Sequence, residues 1–220
     1  MTKPRIAETA DGIQDVDQTV LYDRMMRRLR DRNWMETALL LKLGLSSGSA
    51  LEVGPGPGYL GLEWLAKTKY THLAGLEISP AMIRLARKNA GDYGLTDRVR
   101  YVQGDAAALP FSADEFDVVF SNGSLHEWEH PWVILNEIWR VLKPGGGYCI
   151  SDLRRDMRMP VKIFLRIMTR PRAMRRGLTS SINAAYTPDE IGDMIQNTPR
   201  RQGRVEANAI GVVLQGRKPK

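Results

Sequence analysis

The residues best suited to chemistry lie in the stretch 51–61, LEVGPGPGYLG, where Gly54, Gly56 and Gly58 recur at every second position. Lacking Cβ, glycines accept positive φ and let a ligand approach the backbone, and a helix starting there offers unpaired N–H groups. Gly56, Gly58 and Gly61 also satisfy GxGxxG, so a nicotinamide or flavin dinucleotide fits this stretch as well as any other adenine nucleotide does. Three acids narrow the choice. Glu52, two residues before the first glycine, would repel a pyrophosphate and welcome an ammonium group, which favours a cofactor with an amino-acid part. Glu77 lies about twenty residues beyond the glycines, where it accepts the ribose hydroxyls of either nucleotide type. Asp105 can accept from an adenine amino group while the Ala106 N–H donates to the ring.

A second constellation is His126-Glu-Trp-Glu-His130, which matches the HExxH pattern of zinc hydrolases. Pro131 follows at once and drives His130 out of the α region, so the two imidazoles do not share a helical turn. His72 sits in a strand and no third ligand helix is evident, so no functional metal is expected. His126 and Asp152 instead stand as candidate general bases.

These residues must be positioned by an alternation of short β-rich runs and helical patterns. Strands are expected at 50–53, 72–76, 99–103, 116–121 and 147–151, with helices at 60–67, 80–92 and 132–142. Right-handed crossovers give a doubly wound α/β sheet, mostly parallel, with the chemistry at its carboxyl edge. Two closing strands at 204–208 and 211–216 add an antiparallel edge and make it seven-stranded. Residues 1–44 read as an N-terminal helical cover, with two helical pieces over 20–44, the first lying over the sheet edge. The domain proper is 45–220, interrupted after the fifth strand by a basic helical insertion over 154–186: a loosely amphipathic piece at 159–168, then a loop. Thr187-Pro-Asp-Glu starts a further helix to about residue 196.

The formal charge of +7 raises the question of nucleic acid, and its distribution answers it. Nine basic residues against one acid fall within 154–176, so the rest of the chain is close to neutral. There is no apolar run of membrane-spanning length, no secretory start in the first twenty residues, and a single cysteine, Cys149. A cytoplasmic location is expected.

Taken in order, LEVGPGPG, the acid of GLEIS, GDAAALPF, FDVVFSNGSLHEW and RVLKPGGGYCISD resemble the class I S-adenosylmethionine-dependent methyltransferases. Within them the chain is similar to the ubiquinone-biosynthesis C-methyltransferase and its small-molecule relatives. The resemblance covers 51–156 and implies the Rossmann-like methyltransferase fold with S-adenosylmethionine at the strands' carboxyl ends. It places Gly54, Gly56, Gly58 and Glu52 at the methionine part, Glu77 at the ribose, and Ile78, Met82, Asp105 and Ala106 around the adenine. Ser121 and Asn122 would face the methionine end, and Tyr22 resembles the tyrosine that many relatives fold over the cofactor carboxylate. Tyr22 serves equally as a packing residue and Met82 as core filler.

Transfer from a sulfonium needs alignment more than acid–base help, and a base only for some acceptors. Strand four ends Ser-Asn-Gly-Ser and lacks the Asn/Asp-Pro-Pro-Tyr signature for planar amides, which disfavours adenine or glutamine as acceptor. The expected acceptor is a small or medium-sized molecule. RNA, through the basic segment, and a non-catalytic interaction module are the alternatives. Against RNA stands the scarcity of stacking aromatics in that segment, where Phe164 is alone.

Overall fold

The computed structural model describes residues 4–8, 13, 15–196 and 203–220. Among these residues seven strands form one sheet: β1 (Ser49–Val53), β2 (His72–Glu77), β3 (Val99–Gln103), β4 (Phe116–Asn122), β5 (Leu142–Leu153), β6 (Gly203–Ala207) and β7 (Gly211–Arg217). Their spatial order is β3-β2-β1-β4-β5-β7-β6, parallel throughout except that β7 runs antiparallel to both its neighbours. The order reverses between β1 and β4, the switch point where doubly wound sheets open a crevice beyond their carboxyl ends.

Among the described residues eight helices accompany the sheet: α1 (Val16–Asp31), α2 (Thr37–Lys42), α3 (Tyr59–Lys67), α4 (Pro80–Asp92), α5 (Pro131–Val141), α6 (Met159–Met168), α7 (Arg175–Ala184) and α8 (Pro188–Gln196). Alternation along β1 sorts the two faces. Leu51 and Val53 pack with Ile134 and Ile138 of α5 and Ile191 of α8. Ala50 points the other way, into the cluster of Leu40, Leu60, Trp64 and Phe120. Trp64 is wholly buried, with its Nε1 donating to the Leu45 carbonyl at 2.6 Å, and truncating such a side chain costs about 3–5 kcal/mol.

Local signals set the helix starts. Ser79 caps α4 by accepting from the Met82 N–H at 3.2 Å, with Pro80 at the first position. Thr187 and Glu190 cap α8 reciprocally, the Glu190 N–H donating to Thr187 Oγ1 and the Thr187 N–H to Glu190 Oε2.

Two details depart from the sequence reading. α1 does not lie over the sheet edge but packs on α3 and α4 and on a 3₁₀ turn, Arg172–Met174, of the insertion. The stretch after residue 168 is not a loop, since that turn leads directly into α7. At Lys143-Pro-Gly-Gly-Gly147 the pairing jumps from Phe116↔Leu142 to Val118↔Gly147, a bulge inside β5.

Candidate active site

The glycine turn joins β1 to α3, and its three glycines all have positive φ: +68° at Gly54, +53° at Gly56 and +82° at Gly58. Each is packed for a different reason. A Cβ on Gly54 would sit 2.8 Å from Ser124 Cβ, and one on Gly58 would sit 2.5 Å from the Tyr101 hydroxyl. At Gly56 only Tyr22 Cε1 comes near, at 3.4 Å, so the half-buried Tyr22 ring lies over the turn. The turn is tied down from outside: Asn89 Nδ2 donates to the Pro57 carbonyl at 2.9 Å, and the Gly54 N–H donates to the Leu76 carbonyl at 2.9 Å.

Glu77 ends β2 and holds the turn from its other side. Its Oε2 accepts from the Gly56 N–H and its Oε1 from the Ser79 N–H, both at 2.9 Å. Burial raises its pKa while the N–H groups of Ser79, Gly56 and Ile78 pull it down, with a net rise. Each oxygen keeps a further lone pair, which suits a diol.

Glu52 sits on the opposite side of β1 from Leu51 and Val53, beneath the first turn of α3, where a Cβ on Gly61 would collide with Oε2. It is 2% exposed, and Oε2 has no hydrogen-bond partner of full geometry among the described residues. Burial, with Glu77 adding repulsion, pushes its pKa up to about 8 against a lowering contact from the Gly61 N–H. The Tyr101 hydroxyl beside Gly58 is likewise buried and, among the described residues, unpartnered. A carboxyl held partly protonated and under-bonded below the turn is ready to ionise when a cation arrives above it.

On the far side of Glu77, Ile78 is half-buried and Met82 is buried at 3% exposure. Asp105 is exposed and its Oδ1 accepts from the Ala107 N–H at 2.8 Å, capping the 3₁₀ turn Ala106–Ala108. At the end of β4, Ser121 Oγ donates to the Val53 carbonyl at 2.7 Å and meets Ser124 Oγ at 2.6 Å. Asn122 Nδ2 donates to Ser151 Oγ at 2.9 Å. Ser121 therefore faces the strand junction, whereas Gly123, with φ +70° and open space around its Cβ position, leaves a clear approach.

His126 lies in the 3₁₀ turn Leu125–Glu127 and is 7% exposed. Asp152 near the end of β5 accepts the His126 backbone N–H at 2.7 Å and faces ring Nδ1 at 2.9 Å and 3.0 Å. The other ring nitrogen, Nε2, faces Glu8 Oε2 at 3.3 Å. Burial alone would depress the imidazole's pKa, but Asp152 and Glu8, with Glu127, overcome it and raise it to about 10. Glu127 is pushed up to about 7 by burial and by Glu8, Glu77 and Asp152, against the lowering influence of His126. Tyr22 belongs to the same group, its phenol raised by burial and by Glu127, Glu77 and Asp152.

His130 is exposed and 4.0 Å from Glu129, far from sharing a helical turn with His126. The carboxylates of Glu8 and Glu127 and the imidazole of His126 are close enough together to share a cation. In this arrangement both ring nitrogens already face carboxylates.

Two features were not visible in the sequence. Residues 4–8 form a strap across the site: Arg5 donates to the carbonyls of Ala184, His126 and Trp128 and stacks 4.2 Å above the Tyr186 ring, and the Ile6 N–H donates to the Asn183 carbonyl. Asp23, next to Tyr22, accepts the Tyr59 hydroxyl at 2.8 Å and Arg27 at 2.9 Å, which docks α1 on the first residue of α3. The adjacent Tyr-Asp pair was the available signal for the second, and nothing local marks the first.

Residues 51–150 match the family described as a methyltransferase domain. An uncharacterized methyltransferase of Bacillus subtilis is 37% identical over 52% of this chain and 62% of its own length. A demethylmenaquinone methyltransferase of Deinococcus radiodurans is 33% identical over 68% of this chain and 65% of its own length. The chain thus spans less than two thirds of either relative. A solved S-adenosylmethionine-dependent methyltransferase structure from Methanococcus maripaludis covers all of this chain and 98% of its own, with TM-score 0.74 and 22% identity, which shows a shared fold.

Proposed function

The chain belongs to the class I S-adenosylmethionine-dependent methyltransferases, and we propose that it transfers the methyl group of that cofactor to a small or medium-sized acceptor held beside His126. The observation that carries this reading is one convergence: the glycine turn, Glu77 and the Glu8–His126–Asp152 chain all meet at the carboxyl ends of β1, β2, β4 and β5. Bound there, the cofactor supplies a methyl group on a positively charged sulfur that is already a good leaving group.

The chain's own residues supply the rest. Gly54, Gly56 and Gly58 allow the positive φ of the turn and its close packing against Ser124, Tyr22 and Tyr101, and Glu77 offers two oxygens already oriented by backbone N–H groups. Glu52 beneath the turn matches an ammonium or sulfonium by ionising in response to it. In this reading Ile78, Met82 and Ala106 lie on the adenine side beyond Glu77, with Asp105 at the polar end, and Asn122 and Tyr22 border the methionine side, while Ser121 supports them from the strand junction through the Val53 carbonyl.

Asp152 fixes Nδ1, so Nε2 is the ring atom turned toward the acceptor side, where it meets Glu8. With His126 holding its own proton up to about pH 10, the Glu8 carboxylate beside Nε2 is the group that receives the proton of an N–H, O–H or acidic C–H acceptor as the new bond to the methyl carbon forms and the carbon–sulfur bond breaks. Arg5 and α7 both pack on the turn that carries His126 and hold it in place. Quinone precursors are one acceptor class to try, since the Deinococcus radiodurans relative acts on demethylmenaquinone.

Calorimetry with S-adenosylhomocysteine, followed by transfer of a labelled methyl group to an acceptor panel, tests the reading. Failure to bind the cofactor sinks it. Transfer to tRNA in preference to every small molecule replaces the acceptor class.

A further inference from the structure

Among the helices, α6 has no buried residue along its length. Met159, Ile163, Phe164 and Ile167 are 68%, 55%, 54% and 57% exposed, and Met168 is also exposed. At helical spacing these positions share one side of the helix. The half-buried Val161, Lys162 and Leu165 take the opposite side, toward the protein. α6 is therefore attached by one face and presents a continuous apolar face to its surroundings, a larger patch than scattered surface residues make.

The charge around this face is one-sided. Arg154 is spent on Asp156, Arg155 on Glu190 and the Ala185 carbonyl, and Lys162 on the Arg155 carbonyl. Arg158, Arg166, Arg170, Arg172 and Arg176 are exposed, and no acid pairs with them among the described residues. Arg166, Arg170 and Arg172 crowd the Arg175 guanidinium, whose Nε is buried without a partner among the described residues. Like charges gathered beside an apolar face do nothing for folding, and they complement a surface that is itself anionic.

We propose that α6 and the arginines flanking it form a membrane-docking surface, with the helix lying in the interface of an anionic lipid bilayer. Met159, Ile163, Phe164 and Ile167 enter the acyl boundary while the arginines reach the lipid phosphates. No helix among the described residues is long and apolar enough to cross a membrane, so the attachment is to one leaflet's surface. RNA would use the arginines but gives the apolar side chains nothing to contact, since Phe164 is the segment's only stacking group. A second copy of the chain would cover the apolar face only by bringing the two sets of arginines together. α7, joined to α6 through the Arg172–Met174 turn, packs on the turn that carries His126, so docking places the acceptor side of the site near the bilayer. The proposal does not depend on the transfer reaction.

Flotation of the whole chain with phosphatidylcholine vesicles, with and without about 30% phosphatidylglycerol, tests it. Binding to the anionic vesicles should exceed binding to the neutral ones by ~10-fold or more and fall steeply with salt. The triple variants Ile163→Ser/Phe164→Ser/Ile167→Ser and Arg170→Ala/Arg172→Ala/Arg176→Ala should each lose ~10-fold or more while keeping the parent's melting temperature, because the altered side chains are exposed. Equal binding to both vesicle types, no binding to either, or capture of tRNA in place of vesicles would overturn the proposal. So would a dimer that the serine variant dissociates. S-adenosylhomocysteine calorimetry on the same proteins reports on the cofactor site separately, so the two readings fail independently.

Discussion

Asp152 grips His126 at two points, taking its backbone N–H on Oδ2 at 2.7 Å and facing ring Nδ1 at 2.9 Å. With Glu8 at the other ring nitrogen, the imidazolium is enclosed by carboxylates, and its pKa moves from 6.5 to about 10. The folded state binds this proton more tightly than the unfolded chain does. The resulting stability is therefore fully present below pH 6.5 and lost as pH rises toward 10. Melting temperature should fall across that window, and the fall should shrink in His126→Gln. An equal fall in both proteins would show that the stability lies elsewhere.

Glu77 reaches two segments, the glycine turn and the start of α4, through one carboxylate. Glu77→Ala removes both anchors and the acceptor for the ribose, so S-adenosylhomocysteine affinity should drop by roughly 1.5–3 kcal/mol. Glu77→Gln, which retains one oxygen, should lose less. Calorimetry that finds Glu77→Ala equal to the parent would remove this residue from the cofactor site.

Gly58 combines a φ of +82° with a Cβ position 2.5 Å from the Tyr101 hydroxyl. Gly58→Ala is therefore strained by its backbone as well as by its neighbour and should cost about 1–3 kcal/mol of stability. Adding Tyr101→Phe, which removes the clashing and unpartnered hydroxyl, should recover part of the loss. Denaturant unfolding of the single and double variants measures the coupling.

The glycine turn, the five central strands and the acids at their ends were legible because each depends on residues adjacent in sequence. Positive φ needs glycine wherever it occurs, and alternation marks a strand without reference to its partners. The strap was not legible, since Arg5 meets Ala184 and Glu8 meets His126 across more than a hundred residues of chain. α7 was missed for a related reason. RRGLTSSINA is poor in strong helix formers and carries Gly177, and what holds it helical is packing on the 125–127 turn. The sequence places Glu52 two residues before the turn, and only the packing of Gly61 against it shows that it lies beneath α3.

The HExxH letters should carry no functional metal. His130 is exposed, and both nitrogens of His126 face carboxylates that hold its proton to about pH 10, so a cation would have to displace that proton first. Prolonged chelation should leave melting temperature and transfer activity unchanged, and elemental analysis should find well below one zinc per chain. Stoichiometric zinc lost together with activity would instead assign Glu8, His126 and Glu127 as its ligands.

Arg5 carries the last prediction, because it joins the strap to everything beneath it. Its guanidinium donates to Ala184 at 2.6 Å, His126 at 2.9 Å and Trp128 at 3.4 Å while stacking on Tyr186. Arg5→Ala leaves those carbonyls short of a donor, a cost of about 1–3 kcal/mol, and frees Glu8 to move away from His126. With one carboxylate withdrawn, the His126 pKa should fall from about 10 toward its ordinary value, which histidine NMR titration reads directly. Arg5→Lys should not rescue it, since a single ammonium can neither fork to three carbonyls nor stack as a plane. The acceptor's KM should rise more than S-adenosylhomocysteine's Kd, because Glu77 is held by the Gly56 and Ser79 N–H groups and not by the strap. A cofactor Kd that weakens as much as the acceptor's KM would mean that residues 4–8 order the whole site rather than its acceptor side.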